Sequence, residues 1–220
     1  MKSKTKNDML KGIFGILSFV VWTILIITVD VQTVGVNNSN IGFATVNIWF
    51  HKLTGTNIMF YNITDCLGLV PILVCFIFAT VGFIQLIKRK KLNEVDVDII
   101  VLGIYYIIVI LFYFVFEMIP INYRPILING YAESSYPSST TLLVLSVMPT
   151  LVFQTERRLK NSCYINFVYI VTTMFSVFMV TGRLISGVHW LTDIIGSILL
   201  SAGLFYTYKS VCAICEEKAV

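Results

Sequence analysis

His189 and Asp193 stand four residues apart, and on a helix that spacing puts both side chains on one face. A carboxylate so placed takes a proton from one imidazole nitrogen, fixes the tautomer and leaves the other nitrogen free to attack or to bind. Two arginines lie in short polar stretches nearby: Arg183 in Thr181-Gly182-Arg183-Leu184, and Arg124 in Asn122-Tyr123-Arg124-Pro125. Guanidinium is the group suited to planar, bidentate recognition of phosphate. A further stretch, Tyr136-Pro137-Ser138-Ser139-Thr140-Thr141, precedes an apolar run. Proline and serine there fit a plain helix start. The same free amides and hydroxyls also make an anion site. Each feature alone has a bland counterpart: an arginine touching lipid headgroups, or an interfacial histidine beside a helix cap. Their combination suggests phosphate chemistry.

These residues must be held by helices in a membrane. Of 220 residues, 57% are hydrophobic and 13% charged, where soluble domains carry roughly 25% charged residues. The apolar residues gather in long runs, the pattern of membrane spans. The expected fold is all-α and polytopic, a single domain over residues 1–220. Its six transmembrane helices are expected near 12–30, 67–87, 98–117, 139–154, 163–181 and 190–208. The fourth is short for a bilayer and is expected to extend to Arg157, whose charge would reach the interface. The first helix is read as uncleaved, because no small-residue cleavage site follows Thr28. Asp193 would then lie within an apolar run, where an ionisable group is costly and usually functional.

Basic residues mark the inner face. With the N-terminus inside, inner segments hold Lys2, Lys4, Lys6, Lys11, Lys88, Arg89, Lys90, Lys91, Arg157, Arg158, Lys160, Lys209 and Lys218; outer ones hold only Lys52, Arg124 and Arg183. Both termini are therefore expected in the cytoplasm and the chemistry outside. The net charge of +4 reads as topology and not as nucleic-acid binding. In the first outer segment, Val31 to Asp65, the residues Ile48, Trp49, Phe50 and Leu53 suggest a short amphipathic helix on the membrane surface. The Cys212–Cys215 pair has C-x-x-C spacing but no second pair, a weak metal or redox signal. Asn37 and Asn62 fit the glycosylation acceptor pattern, which matters only in a secretory pathway. Usage rich in Lys, Asn and Ile suggests a bacterial plasma membrane.

Arg183, five intervening residues, His189, three more and Asp193 resemble the third signature of the type 2 phosphatidic acid phosphatase family. Tyr123-Arg124-Pro125 resembles the end of that family's first signature, and Pro137-Ser138-Ser139-Thr140 its second, Pro-Ser-Gly-His. The resemblance implies a lipid phosphatase needing neither metal nor cofactor. His189 would be the nucleophile, forming a phosphohistidine, with Asp193 orienting it. Arg124, Arg183, Ser138 and Ser139 would hold the phosphoryl oxygens. The partners would be the bilayer and a membrane lipid, a lipid phosphate or an isoprenoid diphosphate.

Three positions depart from the pattern. Gly182 replaces the usual serine before the arginine. Glu117 stands where the first signature has lysine. Thr140 stands where the second has the histidine that protonates the leaving group. One resolution is a diphosphate substrate, whose phosphate leaving group needs little help, its second pKa being about 6. Another is a substitute acid, His51 or a protonated Glu117. A third is transfer to a lipid hydroxyl, or a protein that binds phospholipid without cleaving it. A small transporter is the competing class, but the charges gather at one face and no matching halves occur.

Overall fold

The computed structural model describes residues 3–219, so Met1, Lys2 and Val220 lie outside it. The described chain is built from α1 (Ser3–Thr28), α2 (Ala44–Thr54), α3 (Ile58–Leu67), α4 (Leu69–Arg89), α5 (Val97–Met118), α6 (Ser139–Arg158), α7 (Ser162–Ile185) and α8 (Leu191–Ala219). A two-residue hairpin, β1 (Gln32–Thr33) with β2 (Asn40–Ile41), sits between α1 and α2. Five helical stretches among the described residues are long and apolar enough to cross a membrane: Ser3–Thr28, Ile58–Arg89, Val97–Met118, Ser162–Ile185 and Leu191–Lys218. The protein is thus all-α and polytopic.

The remaining long helix, α6, falls short on composition for a physical reason. It packs against α4, α5, α7 and α8, and buries Thr141, Ser146, Thr150 and Gln154 among its neighbours. A helix shielded from lipid can carry polar side chains if they find partners. Thr150 bonds Tyr106 Oη at 2.7 Å, and Gln154 donates to Tyr208 Oη at 2.6 Å. The basic end of α6 does not simply reach for water: Arg158 pairs with Asp98 at 2.9 Å, and Arg157 with Asp98 and Glu216. These pairs tie α5, α6 and α8 together at the end opposite His189.

Helix α1 lies along α8. The two backbones touch at Gly15 and Gly203, where a Cβ on Gly15 would come within 2.7 Å of the Gly203 Cα. Small residues at a crossing let membrane helices pack closely, where apolar side chains alone gain little from leaving lipid.

The segment between α1 and α4 is more ordered than a polar loop. Helix α2 exposes Trp49 and Leu53, as expected of a surface helix, but turns Asn47 fully inward. Residues 58–65, expected in the loop, belong to α3, which Asn57 caps by accepting from the Phe60 amide at 3.2 Å. Pro71 occupies the first turn of α4, where its missing N–H costs nothing.

Candidate active site

The turn from α7 into α8, Ser186 to Trp190, carries His189 and is gripped from several sides. The Asn57 amide donates to the Ser186 carbonyl at 2.9 Å. His51 of α2 approaches the Gly187 carbonyl through Nε2 at 3.1 Å and packs against Trp190. Gly187 has φ +66°, and a Cβ there would collide with the Gly55 carbonyl oxygen. Glycine is the residue that takes this conformation and allows this approach. Asn47 donates to the Thr192 hydroxyl at 2.9 Å, while Trp190 donates to the Tyr123 carbonyl at 2.7 Å. The segments joining the helices at this end of the bundle therefore form a frame around the histidine turn.

His189 is buried, and its Nδ1 lies 3.1 Å from the Ser135 carbonyl. A carbonyl only accepts, so Nδ1 carries the proton and Nε2 presents its lone pair. Nε2 has no partner. Asp193 Oδ2 lies 3.7 Å from Nδ1, too long for a hydrogen bond but close enough to favour positive charge on the ring. The same oxygen accepts from the Trp190 amide at 2.8 Å, so Asp193 also caps the start of α8. Burial holds the His189 pKa well below the usual imidazole value, and the charges of Arg124 and Arg183 push it the same way.

The loop from α5 to α6 folds back on itself at Asn129 and Gly130, both with positive φ. Ile128 and Tyr131 exchange backbone bonds at 3.0 and 2.9 Å across them, the two-residue turn that this dipeptide favours. Folding back sets Arg124 opposite Glu133, which it pairs with at 3.2 Å. Arg183, with its side chain 1% exposed, pairs with Asp65 of α3 at 3.0 Å and donates to the Thr140 hydroxyl. Both guanidinium groups lie over the Tyr61 ring, at 5.6 and 5.1 Å from its centre. Arg124 Nη1 and Arg183 Nε and Nη1 are buried without partners.

Ser138 is fully buried; its hydroxyl donates to Thr141 at 3.0 Å and does not cap the helix. The first amides of α6 are thus free of a side-chain cap, the arrangement that favours an anion. Ser139 is half-buried and, with Glu117 and Ser134, borders a small cleft at the end of α5. Glu117 is exposed. His51 uses its Nε2 on the histidine turn. Among the described residues, no three His, Cys, Asp or Glu side chains gather closely enough to hold a metal ion.

The structure thus brings Arg124, Arg183, His189 and Asp193 into one buried cluster. It adds residues that the sequence did not single out: Tyr61, Asp65, Glu133 and the Ser135 carbonyl. The Asn57 cap and the Asn129-Gly130 dipeptide were signals for two of the elements that carry them.

Fold and site together define an integral membrane protein with a histidine and two arginines gathered at one end of a helical bundle. The chain belongs to the PAP2 superfamily, whose family model matches residues 72–213. It is also similar in structure to a transmembrane PAP2-type phosphatidylglycerolphosphate phosphatase from Bacillus subtilis, with a TM-score of 0.60 and 17% identity, covering 94% of this chain and 96% of the other. At that identity the likeness concerns the fold. No curated protein sequence matches the chain significantly. Membership of the family supports phosphatase chemistry in a membrane for this chain.

Proposed function

We propose that the protein is a lipid phosphatase working through a phosphohistidine on His189. The observation that carries this is the set of buried, unpartnered polar atoms: three guanidinium nitrogens and the lone pair of His189 Nε2. Buried donors without partners cost about 1–3 kcal/mol each, and an anion with several oxygens would satisfy these together. The phosphoryl group would rest its oxygens on Arg124, Arg183 and the first amides of α6. His189 Nε2 attacks phosphorus in line with the departing oxygen. The ring gains positive charge, which the Ser135 carbonyl and Asp193 offset. Water then cleaves the P–N bond and releases phosphate. The arginines supply the charge stabilisation that phosphoryl transfer requires.

The lipid character of the substrate rests on an apolar groove of about 300 Å³ between α4, α5 and α6, bordered by Ile72, Val109, Ile110 and Leu143 and reaching Ser139. A chain lying there would bring its phosphate to the start of α6. A lipid phosphate and an isoprenoid diphosphate both fit this description. The larger groove, about 610 Å³ between α6, α7 and α8, includes none of the site residues. The outward orientation rests on charge. The site lies at one end of the bundle, while Arg89, Arg157, Arg158 and Lys209 lie at the other, which positive charge assigns to the cytoplasm.

The test is phosphate release by detergent-purified protein, with chelator present, from prenyl diphosphate, prenyl phosphate, phosphatidic acid and phosphatidylglycerol phosphate. Release is expected from at least one lipid and is expected to fall to the uncatalysed level in His189→Ala. No release from any lipid would instead favour transfer to another acceptor or phospholipid binding without cleavage.

A further inference from the structure

The geometry points to Asp65 as the proton donor to the leaving group, standing in for the acid that is missing at Thr140. This assignment rests on the phosphatase reading above. Asp65 lies outside the segment matched by the family model. Its carboxylate contacts Arg183 Nη2 at 3.0 Å, and that same nitrogen donates to the Thr140 hydroxyl. The carboxylate is therefore beside the position where the second signature ends. Its side chain is 58% exposed, so it can move without disturbing the core.

Two departures from the family pattern have a common consequence here. Without a side chain at Gly182, α3 can dock on α7: a Cβ at 182 would come within 2.6 Å of Thr64 Cγ2. At the other side, the small Thr140 lies beside the α3–α4 junction, its methyl 3.4 Å from where a Cβ on Gly68 would be. A serine at 182 would crowd α3, and a histidine at 140 would be bulkier than the threonine that borders the α3–α4 junction. Their absence lets α3 bring a carboxylate to Arg183. The other candidates are less well sited. His51 Nε2 is engaged with Gly187, and Glu117 makes no ion pair with either arginine. Glu133 pairs with Arg124, whereas Asp65 pairs with Arg183.

In the empty site Asp65 neutralises Arg183. An arriving phosphoryl group displaces it and passes to the carboxylate the proton that a phosphate monoanion carries. As the His189 Nε2–P bond forms and the P–O bond breaks, Asp65 gives its proton to the leaving oxygen, which departs as an alcohol. The carboxylate then takes a proton from the water that attacks the phosphohistidine. The P–N bond breaks, Asp65 returns its proton to the phosphate, which leaves as the monoanion, and the carboxylate pairs again with Arg183.

General acids contribute about 10²- to 10⁴-fold, and most where the leaving group is basic. Asp65→Asn is therefore expected to slow phosphate release from phosphatidic acid about 100-fold or more, and release from a prenyl diphosphate less than about 10-fold. Glu133→Gln, as a control on an arginine partner, is expected to affect the two substrates alike. In the unaltered protein, an acid also predicts rates on aryl phosphates that depend only weakly on the phenol pKa. Equal losses on both lipids in Asp65→Asn, no loss on either, or a steep leaving-group dependence in the unaltered protein would overturn the assignment. Any of these leaves the phosphatase reading standing if His189→Ala remains inactive. An unaltered protein that releases phosphate from none of the four lipids would remove both.

Discussion

His189 is held so that only one of its ring nitrogens is left without a partner. The Ser135 carbonyl takes the Nδ1 proton, and Nε2 is left bare in a site with two guanidinium charges. Nucleophilic attack needs the neutral ring. Burial and the arginines lower its pKa, so the neutral form persists as pH falls through 6.5 and is lost only near the lowered value. On a prenyl diphosphate, whose leaving group needs little help from an acid, the rate of phosphoenzyme formation is accordingly expected to hold from pH 7.5 to 6.5, with its acid limb below 6.5. An acid limb centred at or above 6.5 would mean that the ring titrates as if exposed. The His–Asp spacing was legible in the sequence because it is local. The Ser135 contact was not, since it joins residues far apart in the chain and uses a backbone atom that no side-chain pattern betrays.

At the scale of elements, the frame around the histidine turn matters most. Gly187 is pressed against Gly55 at φ +66°, so Gly187→Ala must strain the backbone and part α2 from the turn. Overpacking costs about 1–3 kcal/mol, and a non-glycine residue in that conformation about 1–3 more. The variant is expected to melt at lower temperature in detergent and to lose phosphoenzyme yield. Unchanged melting and yield would mean that the outer segments are not coupled to the site. The helices α1, α4, α5, α7 and α8 could be read from sequence because lipid demands long apolar runs. Helix α3 could not, because part of it lies beyond those runs and its polar residues Tyr61 and Asp65 face arginines rather than water alone. The α6 region was legible as a short apolar run reaching Arg157, but the pairing of Arg157 and Arg158 with Asp98 was not.

For the whole molecule, the distribution of charge supports the proposed outward orientation of the site. The ion pairs Arg89–Asp96, Arg158–Asp98 and Lys209–Asp8 cluster at one end, and the buried arginines of the site at the other. In a chain whose own cysteines are replaced, Asn129→Cys is expected to react with a membrane-impermeant maleimide added to intact cells, and Lys90→Cys only after lysis. The reverse pattern would place the site in the cytoplasm and exclude a substrate held in the outer leaflet. Five native cysteines, including the exposed Cys66 and Cys163, must be removed first for the labelling to be readable.

The most direct measurement of the central claim is covalent trapping. Purified protein is mixed briefly with a ³²P-labelled lipid phosphate or prenyl diphosphate, quenched in alkali and digested. Label that survives alkali, is lost in acid, maps to the peptide carrying His189 and disappears in His189→Ala is the result expected. Phosphate release that proceeds with no label on His189, or that persists in the His189→Ala variant, would contradict the account.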